Sequence, residues 1–152
     1  MKFPNRDYRD LPENEVLMTS LADHTGLNIS EARIYRIGDK NACLVSRYDR
    51  VMTPEGILLR LHQEDICQAM GLPSSRKYEQ EGGPAFQQCY ELIRDVSAEP
   101  IVDCEQLLKW LVFNLLIGNA DAHAKNLSLL YHFDGRIRLA PFYGLVSTLS
   151  YQ

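Results

Sequence analysis

Apolar residues along this chain follow two rhythms. From Asp103 to Ile117 the pairs Leu107/Leu108, Leu111/Val112 and Leu115/Leu116 recur every three to four residues, and Trp110, Phe113 and Ile117 fill a second face. That period predicts an α-helix apolar on nearly every side, hence buried in the core. Asp103 with Gln106 three residues later has the form of a capping box and sets the expected start. The same period predicts a helix from about Glu13 to Thr25, closed by Gly26, and a short one over 63–70, closed by Gly71. A further helix is expected from Pro84 to about Val96, with Phe86, Cys89/Tyr90 and Ile93 on one face.

The second rhythm alternates. Ala32–Ile37 and Ala42–Ser46 flank Gly38-Asp39-Lys40-Asn41, and Leu127–His132 and Arg136–Leu139 flank the Asp134-Gly135 pair; both read as β-hairpins. Residues 5–12 and 71–84 are rich in turn formers and read as loops, while 53–61 carries neither period. Helices and antiparallel strands in one chain make the expected class α+β.

Composition narrows the picture. At 152 residues the chain is one domain or part of one, and its 45% apolar and 24% charged shares are those of a globular protein. The net charge of −4, with basic residues scattered, gives no nucleic-acid-binding surface. Cysteines at 43, 67, 89 and 104 form no Cys-x-x-Cys pair and read as free thiols in a reducing cytosol. The charged, proline-bearing start is not a signal peptide, and Leu107–Ile117, interrupted by Lys109 and Asn114, is too short to span a bilayer. A cytoplasmic protein without membrane contact is the expectation. The chain stops at Ser150-Tyr151-Gln152 inside an apolar-rich stretch, which suggests a fragment.

The chemistry gathers where the long helix ends. Gly118 is followed by Asp121, His123, Lys125 and Asn126, and Asp121 and Asn126 stand at the Asp-x-x-x-x-Asn spacing of a protein-kinase catalytic loop. There a carboxylate accepts a hydroxyl proton and an amide oxygen holds Mg²⁺. An ordinary loop with an Asx turn has the same spacing. A metal-dependent hydrolase on Asp121 and His123 is a further alternative, short of ligands at metal spacing. Glu13 and Glu15 are either solvated first-turn charges, or Glu15 pairs with Lys2 as a kinase helix glutamate pairs with its phosphate-binding lysine. Arg47-Tyr48-Asp49-Arg50 is either a surface salt-bridge cluster or a strand end that meets the adenine edge.

Several longer words make the chain resemble the HipA-like serine/threonine kinases of bacterial toxin–antitoxin systems. They include Lys2-Phe3-Pro4, Asn14-Glu15, Arg47 to Arg50, His62 to Gln68, Lys77-Tyr78-Glu79 with Gly82-Gly83-Pro84, Ile117 to Asn126, and Leu139 to Tyr143. The resemblance implies a partial protein-kinase-like fold. Residues 1–50 would hold part of the small lobe and 51–152 the first part of the large lobe. It implies ATP and Mg²⁺ as cofactors. Lys2 would bind phosphates, with Glu15 as its partner, and Arg47, Tyr48 and Asp49 would lie at the adenine hinge. Asp121 would be the catalytic base, assisted by His123 and Lys125, and Asn126 a metal ligand. It also implies phosphorylation of a protein serine, on an aminoacyl-tRNA synthetase, and a HipB-like antitoxin as partner.

Three departures qualify this. Gly144 stands where the family carries its metal-binding aspartate; the strands before Lys2 and the helices after Ser150 are absent. The expectation is a kinase segment that is catalytically defective alone. The competing reading is a non-catalytic module that binds the antitoxin or the kinase's target.

Overall fold

The computed structural model describes residues 1–4, 8, 10–73 and 75–151. The chain divides into two compact units, residues 1–46, 109–122 and 142–152 forming one and residues 47–108 and 123–141 the other. Both combine helix with strand, as the two rhythms require.

In the first unit, α1 (Leu11–His24) packs across the antiparallel hairpin of β1 (Ala32–Ile37) and β2 (Lys40–Val45). The helix begins two residues before the expected Glu13, because Pro12 fits the first turn, where no N–H is needed. Of the loop expected over 5–12, residues 5–7 and 9 lie outside the described residues. Gly26, at φ +78°, closes α1: its N–H bonds Asp23 O at 2.9 Å and the Leu27 N–H bonds Ala22 O at 3.2 Å, a Schellman arrangement. The hairpin register ends at Ile37–Lys40, so Gly38 and Asp39 form the turn. Lys2 adds a bridge to the buried Cys43, exchanging both backbone hydrogen bonds at 2.8 and 2.9 Å. Phe142 is buried, stacks on Trp110 with centroids 6.0 Å apart, and hydrogen-bonds through its backbone to Asn28 and Ser30.

The second unit is built on a three-stranded antiparallel sheet: β5 (His62–Asp65), β6 (Ser128–Tyr131) and β7 (Ile137–Leu139), in that order. A separate hairpin pairs β3 (Arg50–Met52) with β4 (Leu58–Arg60), across a turn in which Gly56 takes φ +82°. Its apolar residues Val51, Met52, Leu58 and Leu59 are all exposed, which is why alternation did not mark it. Residues 63–65, expected as helix, are strand; the helix α2 covers only Ile66–Ala69. Asp65 fixes that boundary, since its carboxylate accepts the Gln68 N–H and the Gln68 side chain accepts the Asp65 N–H. The helix α3 (Phe86–Val96) turns Cys89 and Ile93 inward, two residues later in its start than Pro84 suggested.

The long helix α4 (Pro100–Ile117) gives its first half to the second unit and its second half to the first. Two expectations for it fail. Asp103 is not its cap but lies within it, with its carboxylate buried, accepting from Ser97 Oγ, the Leu139 N–H and Arg138. Nor is α4 buried on nearly every side. Cys104, Leu107, Trp110 and Phe113 point inward, while Ile101, Leu115 and Leu116 are 85%, 71% and 79% exposed. An apolar side chain marks a face that can be covered, and among the described residues only one side of this helix is. No helix there is long and apolar enough to cross a membrane. All four cysteines are free and buried, and burial pushes the thiols of Cys43 and Cys89 up to about 11.

Candidate functional site

In the first unit, α4 ends at Gly118, whose φ of +63° is one that residues with a side chain rarely adopt; a Cβ there would also have to displace the exposed Leu149 side chain. The next turn is held by amides. Asn114 Nδ2 bonds Trp110 O at 2.8 Å, and Asn119 Nδ2 bonds Asn114 Oδ1 at 2.7 Å. Asn119 Oδ1 accepts the Asp121 N–H at 3.1 Å, an Asx turn that points the backbone into position for the carboxylate. The Thr148 hydroxyl donates to Gly118 O at 2.7 Å and accepts the Ala120 N–H at 2.9 Å, so a segment thirty residues away clamps the loop. Thr148 and Asn114 escaped the sequence reading; a hydroxyl in a loop carries no periodic signal.

The same unit holds Lys2, Glu15 and Gly144. Lys2 Nζ lies 2.7 Å from Glu15 Oε1, and the Glu15 side chain is 1% exposed, so the pair foreseen as one alternative is formed. Glu13 does not stay solvated: its Oε1 accepts from Asn41 Nδ2 at 2.7 Å. Asn14, between them, grips the backbone of Ser147 with both ends of its amide, each bond 2.9 Å. Gly144 has φ +69° and offers no donor side chain.

The loop passes to the second unit at His123. Asn126 Oδ1 accepts the His123 N–H at 2.9 Å within a 3₁₀ turn, Ala124–Asn126. Lys125 Nζ lies 3.8 Å from Asp65 Oδ2, and Ile66 N–H bonds Leu127 O at 3.0 Å, tying the turn to the start of α2. The Tyr78 ring meets the His123 ring edge-on at 5.1 Å. Gly83 lets that Tyr78 loop close, since a Cβ on it would lie 2.7 Å from Arg76 O and 2.8 Å from Tyr78 O.

Arg47, Tyr48 and Asp49 are engaged elsewhere in this unit. Asp49 is 2% exposed, bonded by Arg47 at 2.7 and 2.5 Å and by Arg50 at 2.6 Å, with Arg60 at 3.6 Å. The Arg47 hydrogen bonds above all, helped by Arg50, hold its carboxyl down to about 2 against the opposing effect of burial. Tyr48 packs on Leu61, Leu130 and Ala140. The Arg47 and Asp49 side chains therefore form the salt-bridge cluster, and the Asp49 carbonyl accepts the Leu61 N–H at 2.9 Å.

For Mg²⁺ the donor set is short. Asn126 Oδ1 keeps a second lone pair for a cation, but Gly144 supplies nothing where the resemblance expects a carboxylate. Among the described residues no three His, Cys, Asp or Glu side chains cluster at metal-binding distance.

A family model described as HipA-like C-terminal domain matches residues 1–152. The chain is 43% identical over 151 residues to the Sinorhizobium fredii protein Y4mE, covering 99% of this chain and 36% of that protein. It is 35% identical over 157 residues to the serine/threonine-protein kinase toxin HipA of Shewanella oneidensis, covering 95% and 36%. Among solved structures, Shewanella oneidensis HipA in complex with HipB and operator DNA superposes with a TM-score of 0.87 at 33% identity, over 95% of this chain and 36% of that one. The Helicobacter pylori kinase CtkA shares the fold alone, with a TM-score of 0.63 at 15% identity over 93% of this chain and 47% of that one. The chain thus spans 36% of the length of the first two curated relatives.

Proposed function

This chain belongs to the HipA-like C-terminal domain family, and from that premise we propose that it is a segment of a HipA-like toxin serine/threonine protein kinase working on ATP. The observation that carries the reading is the Lys2–Glu15 pair at 2.7 Å, because a lysine steered by a buried carboxylate is how a kinase presents one ammonium to the phosphates. Residues 1–50 form part of the small lobe and 51–152 part of the large lobe. Backbone groups of Arg47 to Asp49 meet adenine. Asp121 takes the proton of the acceptor hydroxyl, Lys125 neutralises phosphate charge, and His123, seated on Tyr78, keeps the loop in shape. Asn126 would hold Mg²⁺, which when bound supplies charge neutralisation. With Gly144 in the second ligand position that support is weak, and the chain is catalytically defective alone.

The acceptor is a serine of a protein, such as an aminoacyl-tRNA synthetase, the partner a HipB-like antitoxin, and the compartment the cytoplasm. A HipB-like partner is supported by the complex of the Shewanella relative. A second reading, a non-catalytic module that engages the antitoxin or the kinase target, is favoured by the exposed apolar face of α4. Isothermal titration of the purified chain with ATP, with and without Mg²⁺, tests the first. Binding that gains little from Mg²⁺, and gains more after Gly144→Asp, is the expected result. A folded chain that takes up no nucleotide at all would refute the phosphotransfer reading and leave the binding module.

A further inference from the structure

Beside Asp121 the first unit carries an open groove of about 470 Å³, lined by Tyr8, Leu11, Ala120, Asp121, Val146, Thr148 and Tyr151. Its walls are aliphatic and aromatic, with Tyr8 and Tyr151 in edge contact at 4.8 Å, and among the described residues its one charged lining residue is Asp121. The Tyr151 hydroxyl accepts from Asn14 Nδ2 at 3.2 Å, which fixes that wall.

The backbone along one side is prepared for a strand. Asn14 occupies both the N–H and the C=O of Ser147, as a neighbouring strand would. Val146, the groove-lining neighbour, has neither group engaged among the described residues. An apolar trough, a free peptide unit and a carboxylate suit an extended peptide with an apolar side chain and a hydroxyl, and suit an anion poorly.

We propose that this groove reads the acceptor peptide: the peptide backbone pairs with Val146, an apolar side chain settles among Leu11, Val146 and the tyrosine pair, and the hydroxyl residue is presented to Asp121. Residues two apart on an extended strand share a face about 6.6–7 Å apart. The preferred sequence is therefore a serine with leucine or another large apolar residue two positions away. The role of the hydroxyl rests on the phosphotransfer reading; the apolar preference and the backbone pairing do not.

The test uses the full chain and fluorescein-labelled nine-residue peptides with a central serine, read by fluorescence anisotropy. Leucine two positions to either side should bind at least about tenfold tighter than glycine there. N-methylation of the peptide nitrogen that faces Val146 should cost about as much, and Tyr151→Ala should weaken the leucine peptide about fivefold with little change for the glycine one. Equal binding of all peptides, or none by a folded chain, overturns the proposal even if Tyr151→Ala fails to fold, because the peptide-side changes stand alone. Self-association that displaces the peptide as protein concentration rises also overturns it, since a second copy is then the occupant. ATP titrated into the same preparation separates the readings: nucleotide binding without peptide selectivity sinks the groove alone, and the reverse sinks the phosphotransfer reading alone.

Discussion

Replacing Lys2 by methionine removes the ammonium that bonds Glu15 Oε1 at 2.7 Å and keeps most of the side chain's bulk. Glu15 is 1% exposed, and among the described residues Lys2 is its hydrogen-bonded side-chain partner. The carboxylate is then left buried without its cation, and breaking a buried pair in this way costs about 3–5 kcal/mol. Lys2 is itself 45% exposed, so water reaches one end of the pair and the expected loss is smaller, about 2–3 kcal/mol.

Urea unfolding of the parent chain, Lys2→Met and Lys2→Met/Glu15→Gln reads this directly, because the second change removes the stranded charge and should recover about half of the deficit or more. A Lys2→Met deficit below about 0.5 kcal/mol, or a double variant no more stable than the single one, would refute the coupling of Lys2 to a buried carboxylate.

Other outcomes follow from neighbouring features. Gly83→Ala places a Cβ 2.7 and 2.8 Å from two carbonyl oxygens and should cost about 1–3 kcal/mol in calorimetric unfolding, because backbone must move. The Asp49 carboxyl is held down to about 2, so its stabilisation is complete above the ordinary aspartate range and is lost as pH falls towards 2. Asp49→Asn should therefore cost about 1–2 kcal/mol at pH 7, less than the full shift because Arg47 and Arg60 are largely exposed, and should flatten the acid limb of the stability curve. Thr148→Val removes the hydroxyl that joins Ala120 N to Gly118 O; faster hydrogen exchange at the Ala120 amide, about fivefold or more, is the expected signature.

Local chemistry made much of this legible. Gly26, Gly38 and Gly135 end a helix and turn two hairpins at positive φ, and each was readable from residue type and flanking period. What escaped was defined by partners far along the chain. β5 is polar over His62–Asp65 and is a strand because β6, more than sixty residues later, pairs with it. Asp103 satisfies the capping-box pattern but serves Arg138, Ser97 and Leu139 instead, a choice made by the strand that packs there. The loop showed the same limit. Its residue types and spacing were visible at once, yet the clamp by Thr148 and the Lys125–Asp65 pairing join residues thirty and sixty apart.

Those anchors bear on what the glycine at 144 removes. The Gly118–Asp121 turn is held by Asn114, Asn119 and Thr148, and the His123–Asn126 turn by Asn126 itself and by the Asp65 end of α2. None of these bonds uses a side chain at 144. On the phosphotransfer reading, the substitution takes away charge compensation for the phosphates without loosening the scaffold that presents Asp121 and Asn126. Recognition and turnover then separate. A chain that keeps nucleotide or peptide affinity while transferring no phosphate is the direct consequence, and Gly144→Asp should raise the Mg²⁺ dependence of ATP binding while leaving peptide affinity where it was. A parallel change in both affinities would mean that residue 144 shapes the scaffold after all.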